Sequence, residues 1–107
     1  MKKILIVYLI AVVSYLAGNY SNRLVMTANN GKMPVLEIAN DQIVLPDKSS
    51  PMDNKHEIMY KGSKYKLLGD VFYIGEYIFS IGDFGYFLSI VCMFLGCLFM
   101  LERIIQR

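Results

Sequence analysis

The chain has 107 residues, a formal net charge of +2 and 55% hydrophobic residues. This length allows one domain at most, and so small a net charge argues against nucleic-acid binding. The hydrophobic residues are concentrated in two runs, 4–22 and 84–101, which contain no Asp, Glu, Lys or Arg. A soluble domain of this size mixes charge into its surface helices. The two runs are instead typical of bilayer spans.

The apolar residues in these runs are numerous enough to favour insertion. Residues 4–16 include nine Leu, Ile or Val, and residues 84–101 include ten Leu, Ile, Phe or Val. Either run gains about 3–6 kcal/mol on entering a bilayer. We therefore predict an all-α membrane protein with two transmembrane helices, at about 3–29 and 81–104, joined by a small irregular or partly β extramembrane segment. A cleaved N-terminal signal is the alternative, but Tyr15 stands where a cleavage site needs a small residue.

The first helix is predicted to extend past the membrane, because residues 21–28 contain neither Pro nor Gly. Asn30 and Gly31 are predicted as its C-terminal caps, since both residue types tolerate a left-handed backbone. Pro34 follows, as expected beyond a helix end. A β-hairpin turning at Asn30-Gly31 is the alternative, and it ranks second because the flanking residues do not alternate cleanly.

The segment between the helices divides into two parts. Residues 31–67 are predicted to be extramembrane, with a weak alternation over 56–67 that indicates two short strands around Lys61-Gly62. Residues 68–80 are rich in Phe and Tyr, which favour the headgroup boundary. About fifty residues do not easily build an independent core. We therefore expect this segment to lie against the membrane or a partner.

The C-terminal region, residues 81–107, contains the second helix. The start of this helix is predicted by its sequence. Ser80 and Asp83 have the spacing of a capping box, in which each side chain bonds the other residue's backbone N–H. Basic residues adjoin the outer end of each helix, at Lys2, Lys3, Arg103 and Arg107. Basic residues close to a span favour the cytoplasmic side, so both termini are predicted to be cytoplasmic.

Small residues recur at helical spacing in both predicted spans. Such stripes fall on one helix face, and in lipid they permit the close backbone approach that drives helix packing. The two helices then pack on each other, or one stripe docks on another membrane protein. The predicted packing residues are Ala11, Ser14 and Gly18 in helix one, and Gly85, Ser89, Cys92 and Gly96 in helix two.

Few residues are candidates for chemistry. Asp70, Asp83 and His56 are weak candidates for a cation or proton site, but Asp83 is explained as a cap and Asp70 as a turn residue. No zinc or calcium ligand pattern is present, so we predict no catalytic residue, metal site or cofactor. Lys61, Lys64 and Lys66 lie among tyrosines and either contact lipid headgroups or form a solvated loop.

Residues 21–35, Ser-Asn-Arg-Leu-Val-Met-Thr-Ala-Asn-Asn-Gly-Lys-Met-Pro-Val, resemble the signature of a family of uncharacterised bacterial integral membrane proteins. In that family a membrane helix ends in Ala-Asn-Gly-Gly-x-Met-Pro-Val, followed by a histidine, Leu-Gly-Asp and Ser-Ile-Gly-Asp before a last helix. The resemblance covers about residues 21–95, although Asn30 stands where that family has a Gly, and we expect no counterpart here of the extra N-terminal helices of longer relatives. It is a domain of unknown function, so it implies an architecture and no activity.

These features favour a non-enzymatic protein of the bacterial cytoplasmic membrane. We expect it to act by association, as a homo-oligomer or as an accessory subunit of a membrane complex. Its partners are then the lipid bilayer and another membrane protein or a second copy. One alternative is an ion- or small-solute-handling protein that uses Asp70, Asp83 and His56. The other is a membrane-perturbing protein of the phage or toxin type.

Overall fold

A computed structural model describes residues 1–106 as two long antiparallel helices with a small strand-containing segment at one end. The molecule measures 63 × 28 × 20 Å. Helix α1 spans Lys2–Ala28 and helix α2 spans Ile81–Ile105. Both are long and apolar enough to cross a membrane, by length and composition. The expected arrangement of two long apolar helices joined by a partly β segment is therefore confirmed.

Helix α1 ends in a left-handed cap. Asn29 is the last half-helical residue, and Asn30 and Gly31 follow with positive φ angles of 59° and 84°. The Gly31 N–H donates to the Met26 carbonyl at 2.7 Å, which is the outer hydrogen bond of a Schellman motif. Asn30 therefore occupies the left-handed position of a helix cap, and the chain does not form the alternative hairpin at Asn30-Gly31.

Helix α2 begins with a complete capping box. The Ser80 hydroxyl accepts a hydrogen bond from the Asp83 N–H at 3.2 Å, and the Asp83 carboxylate accepts one from the Ser80 N–H at 3.0 Å. Two backbone donors that the first helical turn would leave unpaired are thereby satisfied. This start is local in sequence, which is why the spacing alone predicts it.

The helices pack through residues that repeat every seven positions. In α1 the buried residues are Ile4, Ala11, Gly18 and Val25. In α2 they are Gly82, Ser89, Cys92 and Gly96, three of which follow the same spacing. A strict seven-residue repeat keeps one face of a helix against its neighbour when the two coil gently to the left.

The helices make their closest approach at three glycines. A Cβ on Gly85 would lie 2.8 Å from the Ser14 carbonyl oxygen, and a Cβ on Gly18 would lie 2.5 Å from the Gly82 carbonyl oxygen. Both neighbours are backbone atoms of the opposite helix, which cannot turn aside as a side chain can. Gly82 is thus a packing residue that the small-residue stripe of α2 did not include.

Six short strands form three separate pairs between the helices. Strands β1 (Met33–Val35) and β4 (His56–Ile58) run parallel, whereas β2 (Glu37–Ala39) and β3 (Gln42–Val44) form a hairpin. A second hairpin joins β5 (Phe72–Ile74) and β6 (Tyr77–Phe79). We call residues 32–79 the cap.

The hairpin turns follow from their sequences. Asn40 and Asp41 connect β2 and β3 with φ angles of 53° and 60°, the pair of positive values that a type I′ turn requires. Gly75 supplies the positive φ of 61° between β5 and β6. The prediction of two short strands around Lys61-Gly62 is wrong. Within residues 56–67 only β4 forms, and it pairs with β1, which is distant in the sequence.

The cap has a small core of its own that rests on the end of α1. Met33, Val35 and Met59 are buried, as is Val25 in the last turns of α1. The buried Asn29 side chain fastens this core to the helix, because its amide donates to the Lys64 carbonyl and its oxygen accepts from the Lys64 N–H, each at 3.0 Å. A cap too small to fold alone is therefore held by the helix end.

We predict that Gly18→Ala destabilises the helix pair by about 1–3 kcal/mol, because the added methyl group meets the backbone of α2. Gly96→Ala is the matched control, since its Cβ would meet the Tyr8 ring, a side chain that can rotate. Unfolding in detergent, followed by circular dichroism, measures both variants. Equal effects of the two substitutions would contradict the close backbone contact at Gly18.

Candidate functional site: the polar cluster at the helix crossing

A closed ring of hydrogen bonds joins the two helices beside the glycine contact. Asn22 of α1 donates from Nδ2 to the Asp83 Oδ1 at 3.1 Å and accepts from the Ser80 Oγ at 2.7 Å. Ser80 and Asp83 are already linked through the capping box. We call Asn22, Ser80 and Asp83 the crossing cluster, in which one amide binds both side chains that start α2.

The crossing cluster depends on glycine at position 82. A Cβ there would overlap the Asn22 side chain and would lie 2.7 Å from the Gly18 carbonyl oxygen. The buried Ser80 could not otherwise be reached from α1. Glycine is thus required at position 82 by the approach of a polar side chain from the other helix.

A second polar contact lies one turn further along both helices. The Tyr86 hydroxyl donates to the Asn19 Oδ1 at 3.1 Å, and the Tyr86 ring lies 5.3 Å from the ring of Tyr15. Asn19 and Asn22 therefore present their side chains to α2 on the same side of α1. A polar side chain in an apolar environment is stable only when it is hydrogen-bonded; Asn22 is bonded through both its nitrogen and its oxygen, and Asn19 through its oxygen.

Asp70 is a buried acid in the cap, close to the start of α2. Its residue is only 6% exposed, and its backbone is fully paired, with its N–H donating to Pro34 and its carbonyl accepting from Leu36, both at 2.9 Å. Burial and, to a smaller extent, the negative charge of Asp83 raise the pKa of Asp70, His56 opposes them, and the resulting pKa is about 6. Asp70 therefore gains and loses its proton in the mildly acidic range.

His56 lies between two carboxylates. Its Nδ1 is 2.9 Å from Oδ1 and 3.0 Å from Oδ2 of Asp53, and its Nε2 is 3.7 Å from Oδ2 of Asp70. The pKa of Asp53 is lowered by the hydrogen bond from the Lys55 N–H and then by the hydrogen bond to His56. Asp53 is consequently an anion at neutral pH.

The three acidic and basic candidates from the sequence have different surroundings. The cap brings Asp70 and His56 together, while Asp83 is engaged in the crossing cluster and acts on Asp70 through its charge. Within residues 1–106 no group of three His, Cys, Asp or Glu side chains is arranged to hold a metal ion.

The three lysines have different surroundings. Lys61 Nζ pairs with Asp47 at 2.9 Å on the exposed surface, and the Lys64 backbone is bonded to Asn29. Lys66 begins the short 3-10 turn Lys66–Leu68. Contact of Lys61, Lys64 and Lys66 with lipid headgroups stays a prediction.

A groove of about 350 Å³ runs along one side of the helix crossing. It is lined by small residues that include Ser14, Ala17, Gly18, Ser21 and Gly85. The Ser21 hydroxyl is buried and has no hydrogen-bond partner among the described residues. The remaining predicted packing residues, Ala11, Ser89, Cys92 and Gly96, are buried against the opposite helix.

Three residues that organise the site were not among the predicted site residues, namely Asn22, Asn29 and Gly82. One signal pointed to Asn22, namely that it lies at the polar end of an otherwise charge-free span. An uncharged polar residue in a span usually bonds to a neighbouring helix.

A double-mutant cycle tests the crossing cluster. Asn22→Ala and Ser80→Ala should each destabilise the folded chain by about 1–2 kcal/mol. Because the two side chains share a hydrogen bond, the double variant should be destabilised by about 0.5–1 kcal/mol less than the sum of the two single effects. A control cycle pairs Asn22→Ala with Ser63→Ala, whose hydroxyl accepts from the Tyr60 N–H in the cap, and should be additive. Additivity in both cycles would refute the shared bond.

Comparison with known proteins shows which family has this architecture. Residues 5–95 match the profile described as Family of unknown function (DUF5317). Neither the comparison with curated proteins nor the comparison with solved structures found a match. The matched region includes the crossing cluster, His56 and Asp70, and it confirms the resemblance to a family without a known activity. This chain belongs to the DUF5317 family of unknown function.

Proposed function

We propose that this chain is an integral protein of the bacterial cytoplasmic membrane that acts without catalysis, by association with a second copy or with a larger membrane complex. The observation that carries the proposal is the groove beside the crossing, where Ala17 is exposed and Ser14 and Gly85 are half-buried on the outside of the helix pair. In lipid such a surface allows another helix to approach closely.

The outer faces of the helices support the membrane location. Only 17% of the most apolar stretch of either helix is buried, and large side chains such as Leu9 and Ile90 are 62% and 66% exposed. Monomeric soluble proteins rarely expose apolar surface of this extent. A bilayer accommodates the same surface at no cost.

The aromatic cap residues support a position at the headgroups. The rings of Phe72 and Phe84, and those of Phe79 and Phe87, lie 5.3 Å apart with their planes nearly perpendicular. The β5–β6 hairpin therefore lies against the first turns of α2, with Tyr77 exposed at its end. We propose that this hairpin forms an aromatic belt at the boundary of the bilayer.

Charge supports a topology with both termini in the cytoplasm. The helices are antiparallel, and the Lys3 ammonium lies 4.3 Å from the centre of the Phe99 ring. Lys2, Lys3 and Arg103 are thus gathered at the end of the pair opposite the cap. Basic residues next to a span favour the cytoplasmic side, which leaves the cap outside.

Energy transfer between labelled copies in liposomes tests the association. Cys97 is exposed and Cys92 is buried, so donor and acceptor dyes attach at Cys97. Ala17→Leu fills the groove and should abolish at least half of the transfer. Val13→Leu, also on the exposed surface of α1 but outside the groove, should leave it unchanged.

A larger complex gives a different outcome in the same preparation. There the wild type shows no transfer, purifies from mild detergent with another membrane protein, and loses that protein when Ala17 becomes Leu. Wild-type chains that neither transfer energy nor retain a membrane protein would contradict the proposal. Equal association of the Ala17→Leu variant would contradict the role of the groove.

A further inference from the structure

The surroundings of His56 decide where its ring carries a proton. The Asp53 carboxylate has both oxygens within 3.0 Å of Nδ1, and an ionised carboxylate only accepts hydrogen bonds. Nδ1 must therefore donate. A neutral imidazole has a single N–H, so Nε2 then carries a lone pair.

That lone pair faces Asp70. The Nε2 atom lies 3.7 Å from the Asp70 Oδ2, and no hydrogen-bond donor reaches the Asp70 carboxyl group among residues 1–106. The Asp70 side chain is only 9% exposed, so water reaches its carboxyl group over a small area only. With Asp70 ionised and the partly exposed His56 ring neutral, two acceptors face each other at a largely buried carboxylate, which is unfavourable.

One added proton resolves this conflict. We propose that Asp53, His56 and Asp70 form a proton-binding site, in which a single proton between His56 Nε2 and Asp70 Oδ2 stabilises the folded cap. The proton resides on either atom and converts the facing acceptors into a hydrogen bond. Since such bonds are about 2.7–2.9 Å long, the two side chains draw together when it binds.

The site connects two parts of the cap. His56 begins β4, whereas Asp70 precedes β5 and is bonded through its backbone to Pro34 in the middle of β1 and to Leu36 just after it. Releasing the proton therefore loosens β4 from the segment that leads to the β5–β6 hairpin.

The charges around Asp70 agree with proton binding. Asp83 of α2 disfavours the ionised carboxyl group and His56 of β4 favours it, while α1 contributes the uncharged Asn22 bonded to Asp83. Burial and Asp83 together raise the pKa of Asp70 from 3.8 to about 6. The folded chain thus retains the proton after the unfolded chain has lost it.

The sign of the pH effect follows from linkage. A group whose pKa is raised by folding stabilises the protein fully below its unfolded value, near pH 3.8, and this stabilisation is lost as the pH rises through about 6. Stability should therefore fall between mildly acidic and neutral pH. The proposal does not require association between copies, so it stands or falls separately from the groove.

Thermal unfolding of the full chain in mild detergent tests the site. The unfolding midpoint of the wild type should drop by about 5 °C from pH 5 to pH 7.5. Asp70→Asn, which keeps the shape but does not titrate, should remove at least half of this drop. Glu76→Gln, in the turn of the β5–β6 hairpin, is the control and should retain it. An Asp70→Asn variant with the wild-type pH dependence would overturn the proposal.

Nitrogen NMR gives a second readout that does not depend on stability. His56 is the only histidine, so ¹⁵N-labelled histidine reports this ring alone. At pH 8 the neutral ring should carry its proton on Nδ1, and Asp53→Ala should abolish that preference. A wild-type ring protonated on Nε2 at pH 8 would place a donor against Asp70 and overturn the proposal.

Discussion

The contact of backbone with backbone at Gly18, Gly82 and Gly85 is the constraint on which the other features rest. A Cβ at any of these positions would meet a carbonyl oxygen of the opposite helix at 2.8 Å or less. In lipid, apolar side chains gain little by leaving their surroundings, so helices associate through close packing and shared hydrogen bonds. The seven-residue repeat of buried positions then extends this contact along both helices.

Close approach makes the polar contacts possible. Asn22 reaches the α2 capping box only because Gly82 leaves room for its amide. The cap is in turn held by Asn29 at the end of α1 and by the aromatic packing of β5–β6 on the first turns of α2. Asp70 lies near the charge of Asp83, and no hydrogen-bond donor reaches its carboxyl group within the described residues. The stability of the cap therefore depends on pH.

Local features could be predicted from the sequence, whereas distant pairings could not. The charge-free runs predicted the helices, and the Ser80–Asp83 spacing predicted a capping box, because both are determined by neighbouring residues. The pairing of β1 with β4 joins Met33 to His56, with the β2–β3 hairpin and a loop between them in the sequence. Strands of three residues are too short for their periodicity to predict this pairing. For the same reason the composition indicated Asp70 and His56 as candidates, but only the folded cap shows that they face each other.

Oxygen accessibility of spin labels placed along α1 in lipid bilayers tests the central claim most directly. Single cysteines in a Cys92→Ser, Cys97→Ser background carry the labels at successive positions from 4 to 25. Gly18, where a Cβ would meet the backbone of α2, is left unlabelled. Accessibility to oxygen should be high at outward positions such as Leu9 and Leu16 and should reach minima at Ile4 and Ala11, which face α2, and at Val25, which is buried under the cap. Uniform accessibility along the helix, or labels that respond to a water-soluble relaxation agent at positions 9 and 16, would contradict a close-packed helix pair embedded in lipid.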